Sequence, residues 1–170
     1  MKGKYLKRIH KEVEQLKKND NFVASGFKEK SYRIVAKIKG PAKTAFRDKY
    51  YYIRIEVDIE KYPLNAPSVT FISKIFHPNV SGPSICLDVI SEKWSPILGL
   101  ESIIISIQNL LNCPNPKDPL DSHAASHYMK KGKKTFYQKN AELNEENQKM
   151  ENQEDWITNS LGVAPDHVLS

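Results

Sequence analysis

At 170 residues, with 39% hydrophobic and 27% charged side chains, the chain is long enough for one domain with a sizeable core and too apolar for wholesale disorder. Met1-Lys2-Gly3-Lys4 leads into no long apolar run, nothing downstream is long enough to cross a bilayer, and no lipidation motif is present, so a cytoplasmic or nuclear protein without a membrane partner is expected. Two cysteines, Cys86 and Cys113, are too few for a disulfide framework and lack the Cys/His spacing of a zinc site; no metal is expected, and each thiol is a candidate nucleophile.

The first element is a helix. From Lys4 to Lys18, the residues Leu6, Ile9, Val13 and Leu16 recur at helical spacing among basic side chains, and Asn19-Asp20-Asn21 ends the run. Strands follow, beginning with the short stretch Phe22 to Phe27. Ser31 to Lys39 alternates Tyr32, Ile34, Ala36 and Ile38 against Arg33, Val35, Lys37 and Lys39, before a Gly40-Pro41 turn. In the next strand Tyr51, Ile53, Ile55, Val57 and Ile59 oppose Arg54, Glu56 and Asp58. Val69 to Ile75 makes the last, after the proline-bearing loop from Tyr62 to Pro67. This alternation predicts a four-stranded antiparallel meander with one wet face.

The stretch from His77 to Leu100 has no period, and a loop of that length inside a compact domain points to function or to a misassigned element. Glu101 to Leu111 is nearly all apolar and predicts a buried helix. The prolines between Cys113 and Pro119 exclude helix there. Asp121 can cap a helix through Ala124, Ala125 and Tyr128; Gly132 separates it from a last helix, Lys133 to about Met150, with Phe136 and Tyr137 as apolar contacts. The fold class is α+β: an N-terminal helix, the meander, a long active-site loop, then C-terminal helices. Residues 1–150 read as one domain and 151–170 as a short acidic C-terminal extension, in which Trp156, Ile157, Leu161 and Val163 are able to dock.

The net charge of +6 is unevenly laid out, with Lys2, Lys4, Lys7, Arg8, Lys11, Lys17 and Lys18 crowding the first helix. A basic helix of this kind suits nucleic acid, an acidic protein surface, a lipid headgroup or plain solvent.

Four groups of residues in the irregular regions decide among these. They are His77-Pro78-Asn79, Ser84-Ile85-Cys86-Leu87-Asp88, Trp94-Ser95-Pro96, and Pro114-Asn115-Pro116-Lys117-Asp118-Pro119-Leu120. In this order and spacing the chain, over roughly residues 4 to 149, resembles the ubiquitin-conjugating enzyme family. The resemblance implies a UBC-like fold. It also implies a transferase that accepts ubiquitin or a ubiquitin-like modifier as a thioester on Cys86 and passes it to a lysine.

Cys86 is the candidate nucleophile. Ile85 and Leu87 beside it are apolar, with no adjacent Lys, Arg or His to activate the thiol, which suits an acyl carrier better than a protease. Attack on an already activated thioester needs no dedicated base; the alternative is a buried, inert thiol. Asn79 brings an amide that can donate to a developing oxyanion or support the active-site loop, or simply satisfy its own turn. His77 and Pro78 read as structural. The resemblance assigns Asp118 and Asp88 to orienting and activating the incoming lysine, although Asp118 also suits a solvent-facing turn. Cys113 matches no catalytic position of the family and is expected in packing.

The resemblance extends to partners. Lys7, Arg8 and Lys11 match helix positions that contact the activating enzyme and, in part, the ligases. Leu64 with Ser95, Pro96 and Ile97 matches the ligase groove, an apolar knob rimmed by basic side chains. Ile105 and Asn109 lie where the family cradles the donor ubiquitin, or equally on a core or solvated helix face. The implied partners are ubiquitin or a relative, the activating enzyme, RING- or HECT-type ligases and substrate proteins, with no specific nucleic acid. The chain itself is expected to be a monomer with no cofactor, ATP being used by the activating enzyme.

The chain departs from the family pattern in places. The segment from His77 to Cys86 is about one residue short, with Pro83 in the place of a glycine two before the Ile-Cys pair and Gly82 just ahead of it, a change able to shift Asn79 relative to Cys86. Asp48-Lys49 replaces a Gly-Gly hairpin, Ala66 replaces a proline, and one residue is inserted near Asp58. Two rival readings are a family variant that binds without catalysing and a basic nucleic-acid module. The first is disfavoured by Cys86 standing in its motif, the second by the lack of an aromatic-interleaved basic patch.

Overall fold

The first eighteen residues alone cannot hold a stable helix, since an isolated amphipathic helix gains little in water and needs a surface to lie on. A computed structural model, describing residues 2–86 and 90–170 with side chains from Tyr5 onward, shows that surface. Helix α1 (Lys2–Lys18) buries Ile9, Val13 and Leu16 against one side of a sheet. The expected meander is formed by β1 (Phe22–Lys28), β2 (Ser31–Lys39), β3 (Tyr50–Asp58) and β4 (Ser68–Phe71), each antiparallel to the next. Tyr32, Ile34, Ala36 and Ile38 of β2 and Tyr51, Ile53, Ile55 and Val57 of β3 all point into the main core, as their alternation requires.

Two short strands, β5 (Val80–Ser81) and β6 (Ser84–Ile85), form a separate hairpin inside the long loop. Helix α2 (Leu100–Asn112) then fills the core with Leu100, Ile103, Ile104, Ile107, Leu110 and Leu111. It is not buried all round: Ile105 and Asn109 lie on an exposed strip. Helix α3 (Ser122–Met129) begins at the Asp121 cap, whose Oδ1 accepts from the Ala124 N–H at 2.9 Å. Helix α4 (Lys134–Glu151) buries Phe136, while Tyr137 is exposed rather than packed.

The outer face of the sheet is not left wet. Helix α5 (Trp156–Leu161) lies across it, and β7 (Val168–Leu169) adds a fifth strand beside β1, giving the order β4-β3-β2-β1-β7. Leu161 is fully buried with Ala24 and Val35 in a second apolar cluster. Among the described residues no helix is long and apolar enough to cross a membrane.

Candidate active site

The strand expected from Val69 to Ile75 stops at Phe71, and the reason lies in α4. Residues 74–76 find their hydrogen-bond partners in asparagine side chains instead of a neighbouring strand. Asn147 accepts from the Lys74 N–H at 2.7 Å and donates to its carbonyl at 2.9 Å. Asn140 does the same for Phe76, at 3.0 Å and 2.9 Å. Between them Asn144 accepts from the Tyr51 hydroxyl at 3.1 Å. All three asparagines are buried, spaced four and three residues apart on one helix face. Sequence reasoning missed them because an Asn in a polar helix reads as solvated. Their common spacing was the available clue.

This clamp delivers the chain to His77 at a fixed height. His77 is fully buried: Nδ1 accepts from the Asn79 N–H at 2.9 Å, so Nε2 carries the proton and donates to the Leu110 carbonyl at 3.0 Å. Burial lowers its pKa to about 4, against the smaller opposing effect of the Leu110 hydrogen bond. The ring is therefore neutral near pH 7, bracing α2 against the loop with no nitrogen free for proton transfer.

Asn79 is equally committed. Its Oδ1 accepts from the Asn115 N–H at 2.8 Å, and its Nδ2 donates to the Asn115 and Asp118 carbonyls at 2.9 Å and 3.2 Å. The Pro78 carbonyl accepts from the N–H groups of Leu120 and Asp121 at 2.8 Å and 2.9 Å. The two proline-rich loops are thus knitted into one lattice, in which the Asn79 amide has spent both donor hydrogens.

The hairpin absorbs the short spacing to Cys86. Val80 pairs with Ile85, and Ser81 with Ser84, around a turn in which Gly82 takes a φ of 55°. The Pro83 carbonyl accepts from the Phe71 N–H at 2.9 Å, fixing the hairpin to the end of β4. The Cys86 N–H then donates to the Asn79 carbonyl at 3.1 Å. Gly82-Pro83 therefore leaves Asn79 in contact with Cys86.

Cys86 is half-buried in a cleft of about 520 Å³ lined by Val69, Thr70, Ser84, Ile85, Cys86, Asp118, Pro119 and Leu120. Its walls are largely apolar, and Asp118 is the one carboxylate among these lining residues. Asp88 lies outside the described residues. Among the described residues no group of three or more His, Cys, Asp or Glu is arranged to hold a metal ion. Cys113 is exposed at the end of α2, not packed: the helix turns its last position outward, and the Cys113 N–H closes on the Asn109 carbonyl.

Of the positions matched to partner surfaces, Leu64 and Ile97 are 71% and 90% exposed, far more than any core requirement explains. Lys7 and Lys11 are exposed, and Ser95 and Pro96 adjoin Ile97. Arg8 is turned inward. Its Nε donates to Glu12 at 2.6 Å, its Nη2 to the Leu98 carbonyl at 2.6 Å, and its guanidinium lies 5.4 Å from the Tyr62 ring centre. Glu12, which the sequence did not single out, also accepts from the Tyr62 hydroxyl and from the Leu100 N–H at the start of α2. The Trp94 indole donates to the Pro63 carbonyl at 2.8 Å. Together these contacts tie α1 and the loops carrying Leu64 and Ile97 to one another. Ile105 and Asn109 stand on the exposed strip of α2 described above.

Comparisons with known proteins agree with this geometry. Residues 8–144 match the protein-family model described as ubiquitin-conjugating enzyme. Over 130 residues the chain is 37% identical to ubiquitin-conjugating enzyme E2 27 of Arabidopsis thaliana, covering 72% of this chain and 66% of that protein. Over 93 residues it is 46% identical to ubiquitin-conjugating enzyme E2 1 of Caenorhabditis elegans, covering 54% and 48% respectively. The matched part thus spans less than two thirds of each of these relatives. The E2 domain of a Toxoplasma gondii ubiquitin conjugating enzyme superposes with a TM-score of 0.69 at 30% identity, covering 82% of this chain and 96% of that one.

Proposed function

Because the chain belongs to the ubiquitin-conjugating enzyme family, we propose that it is a transferase that carries ubiquitin, or a close relative, on Cys86. The observation that carries this reading is a half-exposed thiol at the rim of an apolar cleft, held by the His77-Pro78-Asn79 lattice. In the first step the Cys86 sulfur attacks the modifier's thioester on the activating enzyme. A new thioester forms, and the activating enzyme's thiol leaves. In the second a lysine amine attacks the Cys86 thioester carbonyl, an isopeptide bond forms, and the Cys86 thiol is released with a proton. ATP is consumed by the activating enzyme; this chain needs no cofactor.

Asp118, with Asp88 as a second acid, orients the incoming lysine amine, while desolvation at the cleft favours the amine's deprotonated, attacking form. Asn79 supports the loop: with its amide bound to Asn115 and Asp118, it sets where Asp118 stands. His77 and Pro78 act as braces. Leu64, Ser95, Pro96 and Ile97, with Lys7 and Lys11 beside them, form the docking site for the activating enzyme and for RING- or HECT-type ligases. Arg8 acts there by fixing the platform from within. Ile105 and Asn109 face the donor ubiquitin. The catalytic unit is residues 1–150, a monomer working in cytoplasm or nucleus, with 151–170 as an appended segment.

Incubation with activating enzyme, ATP and ubiquitin tests this on a non-reducing gel. An adduct that thiol reductant cleaves is expected for the native chain and absent for Cys86→Ala. Failure of the native chain to charge, or charging of Cys86→Ala, would falsify the reading. In single-turnover assays Asp118→Ala should charge normally and discharge to free lysine about 10- to 100-fold more slowly, within the range of positioned acid–base groups. Equal loss in both steps would remove Asp118 from lysine activation.

A further inference from the structure

A sheet face that meets water should carry polar side chains, yet the outer face here presents Val23, Val35, Tyr52 and Ile72. Residues 156–169 cover it. Trp156 meets the Tyr52 ring edge-on with centres 4.8 Å apart, and Leu161 is fully buried against Ala24 and Val35. Two arginines of the face donate to backbone carbonyls of the segment: Arg33 to Leu161 at 2.8 Å and Arg54 to Ser160 at 3.1 Å. Beyond α5, β7 pairs with β1, Val168 opposite Gly26 and Leu169 opposite Ser25.

Two glycines, one on each side of this contact, fit it, and Gly26 is the one the contact itself demands. Gly26 sits inside a strand, where glycine weakens pairing. A Cβ there would stand 2.8 Å from the His167 carbonyl oxygen and 3.1 Å from a Val163 methyl. Gly162 ends α5 with a φ of 63°, and a Cβ on it would lie 2.8 Å from Arg33 Nη1. The receptor strand and the docked segment each leave out a side chain where the other approaches.

We propose that the outer face of the sheet is a protein-docking surface reserved for residues 156–169 of the same chain, which occupy it in solution and keep other proteins off it. The class of segment it fits is short, with Trp, Ile and Leu anchors on one side and two carbonyls offered to Arg33 and Arg54. Acidic residues flank the anchors in this chain: Glu154, Asp155 and Asp166. Only residues 152–155 join α5 to α4. So short a tether gives the segment an effective concentration of order millimolar, which any competing protein must overcome. The proposal concerns the sheet and its cover, and stands independently of the chemistry at Cys86.

Hydrogen–deuterium exchange on the full chain at two protein concentrations tests it. Amides in 158–169 should exchange at least tenfold more slowly than in a free peptide of residues 151–170, equally at both concentrations. Gly26→Val, which adds a strand-compatible side chain beneath the segment, should abolish that protection while β2 and β3 stay protected. Leu161→Asp should do the same without altering β1. The labelled peptide should bind the Leu161→Asp protein at least tenfold more tightly than the native chain, whose face is already filled. Unprotected amides in the native chain, protection that survives both substitutions, or equal peptide binding to both proteins would overturn the proposal. Protection that grows with concentration would assign the cover to a second copy and overturn it equally.

Discussion

The chain fastens two irregular stretches to its sheet, and it does so by opposite means. Residues 74–79, leading towards Cys86, are held by neutral polar side chains that match backbone groups one for one: Asn147 at Lys74, Asn140 at Phe76, His77 and Asn79 beyond. Residues 156–169 are held chiefly by apolar anchors, helped by two arginines reaching carbonyl oxygens and by a two-residue pairing of β7 with β1. A hydrogen bond has a length and a direction, so the first arrangement defines position to a fraction of an ångström. Apolar burial scales with area and is indifferent to direction, so the second gives adhesion. Precision lies beside the proposed thioester site; adhesion suffices where a surface must be covered.

The largest effect should come from breaking the polar clamp. Asn140→Leu strands the buried N–H and C=O of Phe76 with no partner, at about 1–3 kcal/mol for each group. A total loss of about 3 kcal/mol in urea denaturation is expected, with slower discharge of Cys86 in the molecules that remain folded. A loss under 1 kcal/mol would mean that water replaces the amide and that the clamp is not what fixes residues 74–79.

The next is a pH dependence of nearly the same size. Folding lowers the His77 pKa from an ordinary value near 6.5 to about 4, so the unfolded chain takes up a proton first as the pH falls. His77 contributes no pH dependence above 6.5. Between 6.5 and 4 the folded state loses about 1.4 kcal/mol per pH unit, roughly 3 kcal/mol in all. Denaturation midpoints measured from pH 7 to pH 4 should show that slope, and His77→Gln should flatten it. An equal slope in the variant would place the sensitivity elsewhere.

The apolar region should yield less cleanly. Leu161→Ala removes a fully buried side chain, a change that costs about 2–5 kcal/mol in a closed core. The segment ends close to solvent and is free to lift, so about 2 kcal/mol is expected, lost from the outer-face cluster alone. Thioester formation on Cys86 should be unchanged. A drop in charging would join the two regions and end the contrast between them.

Much of this was legible in the residues. The period-two runs of β2 and β3 determined which side chains face the core, because a strand's alternation admits only two choices of face. The spacing of Leu6, Ile9, Val13 and Leu16 determined the buried stripe of α1 for the same kind of reason. The four motifs around Cys86 carried the family resemblance, which the match over residues 8–144 bears out. Less was legible in the polar residues. Asn140, Asn144 and Asn147 read as solvent-facing, Arg8 read as free for a partner, and Asn79 had several readings open, because a polar group's role depends on what stands opposite it. Cys113 was expected in packing and is exposed, since it is the cap residue just past α2, where the backbone leaves the helix and the apolar stripe no longer dictates its direction.

Local periodicity thus fixed the inner face of the sheet and the helices that lie on it, since each follows from short-range geometry, whereas the proposal of Cys86 as the reactive thiol rests on the family resemblance of its motifs. The tertiary structure alone decided that the His77-to-Cys86 spacing closes as a hairpin, that asparagines stand in for a missing strand, and that residues 156–169 cover the outer face. Those outcomes depend on which backbone groups remain unpaired once the sheet has formed, and only the assembled fold determines that.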